Sequence, residues 1–214
     1  IKSTQLVHCG LFINTGSRDE NELTSGSAHF IEHALFKGTK KRRPSQLFNR
    51  IESVGDELNA YTTRETKAYY SSSLKRYVDR SFDLLRDMCF NSLLEPKELD
   101  IEWKVIFEEI EMYEDSPDDS IYDDFFMLLF KDQPLGYNIL GSKQSLANIG
   151  QAELKGFLAT QYQPKNMVFS VAGNVSLHRV EQLAEQYFLE GSNATDVLER
   201  QKAIKSPNFS IEIE

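Results

Sequence analysis

Residues 29–33 read HFIEH and contain two of the chain's four histidines, with a glutamate directly before the second. On a helix, which turns about 100° per residue, His29 and His33 lie one turn apart on the same face. Two imidazoles at this spacing can reach a single metal ion, and Glu32 lies beside them. The segment therefore predicts a helix that carries a metal site.

The alternative is a surface helix with two unrelated histidines. The neighbouring residues weigh against it, because burying polar side chains without partners costs free energy and the flanking positions are apolar: Ala28, Phe30, Ile31, Ala34, Leu35 and Phe36. Two histidines and a carboxylate suit zinc at a hydrolytic site, where a fourth position stays open for water. Glu32 would then take the proton from that water.

The third ligand is expected from residues 96–114, which predict a helix. Glu102 and Glu109 fall on one stripe of that helix, and a buried carboxylate needs a cation or hydrogen bonds. Zinc would satisfy one of them and the other could orient a ligand, although a salt bridge to a buried Arg or Lys is a competing interpretation. The helical wheel does not separate the two glutamates, which share the stripe with Val105, Ile106 and Tyr113. His8 and His178 stand alone and are predicted to be structural or surface histidines.

Composition limits the class of protein. The chain has 214 residues, 40% of them hydrophobic, which is enough for one large domain, and its formal net charge is −9. Nucleic-acid binding is not expected, because it needs clustered Lys and Arg. The single basic run, residues 40–43, is predicted to be a solvated loop, with a contact for an acidic partner as the alternative. Cys9 and Cys89 are predicted to be buried free thiols, and no stretch reads as a membrane span or a signal peptide.

The spacing of apolar residues predicts an α+β fold. Because two or more helices separate the predicted strands, we expect a mostly antiparallel sheet with helices packed on one side. Strands are predicted at 5–14, 57–64, 66–74, 166–173 and 209–213. Helices are predicted from a cap at Thr24, Ser25 or Ser27 to about Gly38, and at 44–54, 75–91, 96–114, 119–130, 145–161 and 176–189.

The sequence around the motif resembles a known family. HFIEH has the inverted zinc pattern His-x-x-Glu-His. Further stretches follow in the order seen in the pitrilysin, insulinase and mitochondrial processing peptidase family, the inverzincins: GSRDE, GSAHFIEH, LFKGT, LNAYTTRETKAYY, VIFEEIEMYEDSPDD and PLGYNILG. The resemblance runs from about residue 9 to residue 174 and is greatest for the processing-peptidase branch.

This resemblance implies roles for particular residues. It implies that His29, His33 and Glu109 bind Zn²⁺, that Glu32 is the catalytic base, and that Glu102 supports the site from behind a ligand. The expected activity is that of a zinc-dependent endopeptidase. The alternatives are a non-catalytic subunit or scaffold that keeps the fold, and a zinc hydrolase that acts on substrates other than peptides.

The resemblance also implies partners. An extended peptide substrate is expected to add as a strand along Asn59, Ala60 and Tyr61. Family members carry a second homologous half, so residues 1–214 are expected to form a single N-terminal catalytic domain, shortened at both ends. Such a domain would require the second half or a partner subunit, with a dimer as one possibility, and would be weakly active or inactive alone. The expected compartment is the bacterial cytoplasm, with mitochondrial and periplasmic settings as alternatives.

Overall fold

The computed structural model describes residues 3–188, 200 and 202–206. Four strands form one antiparallel sheet in the order β2-β3-β1-β4. They are β1 (Leu6–Ile13), β2 (Glu57–Thr62), β3 (Lys67–Leu74) and β4 (Met167–Gly173). The α+β prediction is therefore confirmed, while the strand predicted at 209–213 lies outside the described residues.

Helices lie on one side of this sheet, as predicted. Helix α3 packs against β1 and β3, whereas α1 and α2 pack against β2. The eight α-helices of the described part are α1 (Ser27–Ala34), α2 (Pro44–Glu52), α3 (Val78–Asn91), α4 (Pro96–Glu114), α5 (Pro117–Leu129), α6 (Lys143–Leu146), α7 (Gln151–Gln161) and α8 (Leu177–Phe188). None of them is both long and apolar enough to cross a bilayer.

Strand β1 shows that, among the described residues, one face of the sheet is covered and the other is exposed. Its alternate residues Val7, Cys9, Leu11 and Ile13 are at most 2% exposed, whereas His8 points to the exposed face. This alternation is what a half-buried antiparallel strand requires. Cys9 and the α3 residue Cys89 are buried free thiols, as predicted.

Helix α4 is rotated relative to the predicted stripe. Its buried residues are Leu99, Glu102, Ile106 and Ile110, but Val105 is 43% exposed. The prediction for Val105 was wrong because the buried face is centred between Ile106 and Ile110, which turns position 105 outward.

Trp103 joins helix α4 to the rest of the core. It is the single tryptophan of the chain, stacks on Phe107 with a centroid separation of 5.1 Å, and donates from Nε1 to the carbonyl of Leu146 at 3.2 Å. This contact fixes α4 against α6.

The helix predicted at 145–161 is in fact two helices, α6 and α7. The break occurs at Gly150, the residue before α7, whose N–H donates to the Glu153 carboxylate and caps that helix.

The basic run at residues 40–43 is a loop, but it is not uniformly solvated. Arg42 reaches inward and forms ion pairs with Asp83 and Asp87 on α3. Thr39, just before the run, donates to Asp87 at 2.7 Å. The exposed cations are therefore Lys40, Lys41 and Arg43.

Candidate metal centre and active site

Helix α1 begins in an unexpected way. Gly26 precedes it with a φ of 97°, in the left-handed region that favours glycine. The carboxylate of Glu20 accepts hydrogen bonds from the N–H groups of Gly26, at 2.7 Å, and Ala28, at 2.6 Å. The cap predicted from Thr24, Ser25 or Ser27 was wrong, because the carboxyl oxygens of Glu20 already satisfy these donors. The helix ends at Ala34, earlier than predicted.

A buried lysine holds the same turn from the other side. Lys67 of β3 is fully buried and donates from Nζ to the carbonyl of Ala28. Burial lowers the pKa of Lys67 to about 7, against the opposing effect of the nearby carboxylates of Glu32 and Glu20. Burial likewise raises the pKa of Glu20 to about 8. The main-chain N–H and C=O of Ala28, the residue before His29, are thus both held by buried side chains.

Three side chains converge in front of this turn. His29 and His33 of α1 face each other with ring centroids 4.7 Å apart. Oε2 of Glu109, on α4, lies 3.7 Å from Nε2 of His29 and 3.5 Å from Nε2 of His33. One ligand atom from each residue lies within 4.8 Å of the others. Tetrahedral zinc with bonds of 2.0–2.1 Å would hold its ligand atoms about 3.3 Å apart.

Glu102 occupies a different place from Glu109. Its Oε2 lies 3.0 Å from Nδ1 of His33, and its Oε1 lies 2.6 Å from Nζ of Lys37. Burial disfavours its charge, but the hydrogen bonds from His33 and Lys37 outweigh this and hold the pKa of Glu102 below its usual value. With Nδ1–H donated to Glu102, the lone pair of His33 Nε2 is left free to face Glu109. The geometry thus separates the two glutamates that the helical wheel left equivalent.

The protonation states fit a metal ligand set. Burial, followed by the nearby charges of His33 and Lys67, lowers the pKa of His29 to about 3, so this imidazole is neutral. Its Nδ1 is buried without a hydrogen-bond partner in the part of the chain described here. Burial raises the pKa of Glu109, and the charge of Glu32 adds to this rise. A divalent cation would offset the rise at Glu109, and two imidazoles with one carboxylate are donors that zinc accepts.

Glu32 lies beside these groups and opens to a cleft. The Thr62 hydroxyl, at the end of β2, donates to its Oε2. The cleft has a volume of about 210 Å³ and is lined by Glu32, His33, Phe36, Lys37 and Glu102. One carboxylate oxygen of Glu32 is thus held by the sheet while the residue borders space that a small group can enter.

Strand β2 is an edge of the described sheet and leads to Glu32. The N–H of Ala60 donates to the side chain of Asn59 at 2.8 Å, so it points away from β3. In an antiparallel pair this orientation alternates, and Leu58 and Thr62 therefore also direct their peptide groups outward. Asn59 and Tyr61 are exposed.

Sequence reasoning missed four residues around the site: Glu20, Lys37, Thr62 and Lys67. All four lie in stretches that carry the resemblance, but their partners on α1 and α4 are 8 to 65 positions away. A buried lysine in a strand of Tyr and Ser residues was the one available signal. The two isolated histidines contact surface polar groups, His8 with Ser72 and His178 with Gln182.

Two known family models match this chain. The family model for insulinase (peptidase family M16) matches residues 1–143, and the model for the peptidase M16 inactive domain matches residues 148–212. This chain belongs to the insulinase family, M16. The resemblance inferred from the sequence motifs is therefore confirmed.

Individual M16 relatives match most of the chain. Mitochondrial-processing peptidase subunit beta of Caenorhabditis elegans is 37% identical over 198 residues, covering 92% of this chain and 43% of the relative. An uncharacterized zinc protease of Bacillus subtilis is 38% identical over 170 residues, covering 79% and 42%. The structure of a protease from Helicobacter pylori superposes with a TM-score of 0.85 at 26% identity, covering 97% and 49%. The chain thus spans less than half the length of these M16 relatives.

Proposed function

We propose that this chain is the catalytic domain of a zinc-dependent endopeptidase that hydrolyses extended peptides. The observation that carries the proposal is the convergence of His29, His33 and Glu109, with Glu32 beside them at a cleft. Membership of the M16 family and the zinc proteases among its relatives support it.

The proposed chemistry divides the work among side chains. Zinc, when bound, supplies the positive charge that makes a water molecule more acidic and polarises a carbonyl group. Glu32 accepts a proton from the attacking water as the water oxygen bonds to the carbonyl carbon. It then delivers that proton to the amine nitrogen as the peptide C–N bond breaks. Thr62 orients Glu32. Glu102 accepts the Nδ1–H of His33 and keeps its Nε2 directed at the centre.

The proposed substrate is an extended backbone that adds to β2. The outward peptide groups of Leu58, Ala60 and Thr62 can pair with such a strand, and β2 ends at the residue that contacts Glu32. Edge addition selects unfolded segments over folded proteins, because only an extended chain offers free peptide groups. Family members with paired halves suggest that a second half or partner subunit completes the active site, and the bacterial cytoplasm stays a prediction for the compartment.

The test combines metal content with peptide turnover. Glu32→Gln is expected to keep about one zinc per chain and to lower kcat at least about 100-fold, because it removes the general base and spares the ligands. Glu109→Ala is expected to lose both zinc and activity. Glu108→Gln, an exposed neighbour on α4, is the matched control and should change neither.

Two outcomes would contradict the proposal. Unchanged turnover in Glu32→Gln would remove the general base from the mechanism. Stoichiometric zinc without turnover, in the chain combined with a homologous second half, would favour the scaffold.

A further inference from the structure

A second concave surface adjoins the cleft. It is a groove of about 420 Å³ between residues 37–46 and the start of α4, residues 93–98. Two carboxylates line it, Glu95 and Glu98, against six cations: Lys37, Lys40, Lys41, Arg42, Arg43 and Lys97. We call it the basic groove. In a chain with a net charge of −9, it is a local concentration of the opposite sign.

The wall of the basic groove is a fixed turn. Thr39 is 3% exposed and forms a β-bridge with Ser92. The N–H of Lys40 donates to the carbonyl of Asn91 at 2.9 Å, and the N–H of Thr39 donates to the carbonyl of Arg42 at 2.8 Å. Because the main chain is held at these points, the side chains that leave it start from defined positions.

Four of the six cations are free to meet a ligand. Lys37 is paired with Glu102, and Arg42 with Asp83 and Asp87. The other four are exposed and have no ion-pair partner within the described ranges: Lys40, Lys41, Arg43 and Lys97. Exposed basic runs are usually just solvated, but these four line one concave surface instead of being spread along a convex one.

The basic groove is continuous with the site. Lys37 lines both the groove and the cleft that holds Glu32. Along α4, Glu98 lies eleven residues before Glu109, a distance of about 16 Å at 1.5 Å per residue. An extended peptide rises about 3.3 Å per residue, so the groove is about five residues from the metal centre.

We propose that the basic groove binds acidic side chains of the peptide substrate, about three to six residues from the scissile bond, on the side that leaves the cleft past Phe36. This inference rests on the proposed endopeptidase function and adds a preference to it. Electrostatic attraction of this kind raises the rate of capture and fixes the register of the peptide.

The first experiment measures kcat/KM of the zinc-loaded protein for quenched fluorescent peptides of one length. Three aspartates are placed on either side of the scissile bond or replaced by serines. Aspartates on one side only should raise kcat/KM about three- to tenfold, as expected for exposed charge pairs. The gain should vanish in 0.5 M salt, because the Debye screening length is then only about 4 Å.

Matched variants locate the effect. Lys40→Glu/Lys41→Glu should abolish the gain and leave kcat/KM for the serine peptide unchanged. Lys131→Glu/Lys155→Glu makes the same change of net charge at exposed positions outside the groove, and should keep the gain. Equal losses in both double variants, or no preference in the parent protein, would overturn the inference.

A binding measurement separates this inference from the proposed function. Fluorescence anisotropy of a labelled peptide with three aspartates is recorded with zinc-loaded Glu32→Gln protein, with and without Lys40→Glu/Lys41→Glu. Groove-dependent binding without turnover in the parent, combined with a homologous second half, would support the groove and refute the peptidase. Turnover of serine peptides with no effect of the groove variants on binding would support the peptidase and refute the groove.

Discussion

Ala28 has no reactive group, yet its main-chain N–H and C=O determine how the site is built. Its N–H is held by Glu20 and its C=O by Lys67, and both of these ionisable side chains are buried. The next residue is His29, so any shift of this turn moves a proposed ligand. Buried pairs of this kind cost desolvation, and a positioning role is one reason for a site to retain them.

Lys67 gives a prediction about pH. Its pKa is near 10.5 in the unfolded chain and about 7 in the folded one, so the unfolded state binds more protons between these values. The part of the folding stability that is linked to Lys67 is therefore fully present above pH 10.5. It is lost as the pH falls towards 7, by at most about 1.4 kcal/mol per pH unit. Urea unfolding of the metal-free protein should show the parent gaining stability relative to Lys67→Met between pH 7 and 9. A difference that does not change with pH would contradict this prediction.

Helix α1 depends on its surroundings because it has only eight residues. Isolated helices of that length are not stable in water. The Glu20 carboxylate, the Lys67 ammonium and packing of Phe30, Ile31 and Ala34 in the core replace the missing length.

Removing the Glu20 carboxylate should expose this dependence. Glu20→Ala leaves the N–H groups of Gly26 and Ala28 buried without an acceptor and should cost about 2–3 kcal/mol in urea unfolding. Its zinc affinity should fall as well. Asn21→Ala is the control, since Asn21 caps an exposed turn through Leu23 and Thr24, and it should cost about 1 kcal/mol. Equal losses would show that Glu20 acts as an ordinary cap.

Strand β2 allows a test of edge addition by proline. Ala60→Pro removes an N–H that does not bond to β3, and edge strands tolerate proline at such positions. The variant should keep its melting temperature within a few degrees and raise KM for peptides. Tyr61→Pro, one residue on, removes a ladder hydrogen bond to β3 and should destabilise the fold. An unchanged KM in a folded Ala60→Pro protein would exclude β2 as the docking edge.

The success of sequence reasoning differs between elements for a physical reason. The bounds of α4 were predicted because Pro96 and the apolar period are local signals, and the metal motif because i and i+4 define a helix face. The start of α1 was not, since Glu20 reaches it through a tertiary hydrogen bond. The orientation of α4 was also missed, because a wheel gives spacing but not which side meets the core.

At the scale of the molecule, the site joins distant parts of the chain. His33 and Glu109 lie on α1 and α4, which are separated by two described α-helices and two strands: α2, β2, β3 and α3. Bound zinc would therefore act as a cross-link as well as a cofactor.

Zinc should raise the melting temperature accordingly. At a free concentration 100 times the Kd, binding to the folded state alone adds about 2.7 kcal/mol, or about 5–10 °C for a domain of this size. Thermal scans with zinc and with a chelator should show this shift, and Glu109→Ala should show none. A zinc-dependent shift that persists in Glu109→Ala would place the ion elsewhere.

Trp103 gives the molecule an intrinsic optical probe. It follows Glu102 directly, and its indole is bonded to the carbonyl of Leu146 and stacked on Phe107. With one indole in 214 residues, the emission excited at 295 nm comes from a single known location beside the candidate metal centre. Separation of α4 from α6 would expose that indole to water and shift its emission to longer wavelength. Local opening of the structure around the site can therefore be followed in unlabelled protein.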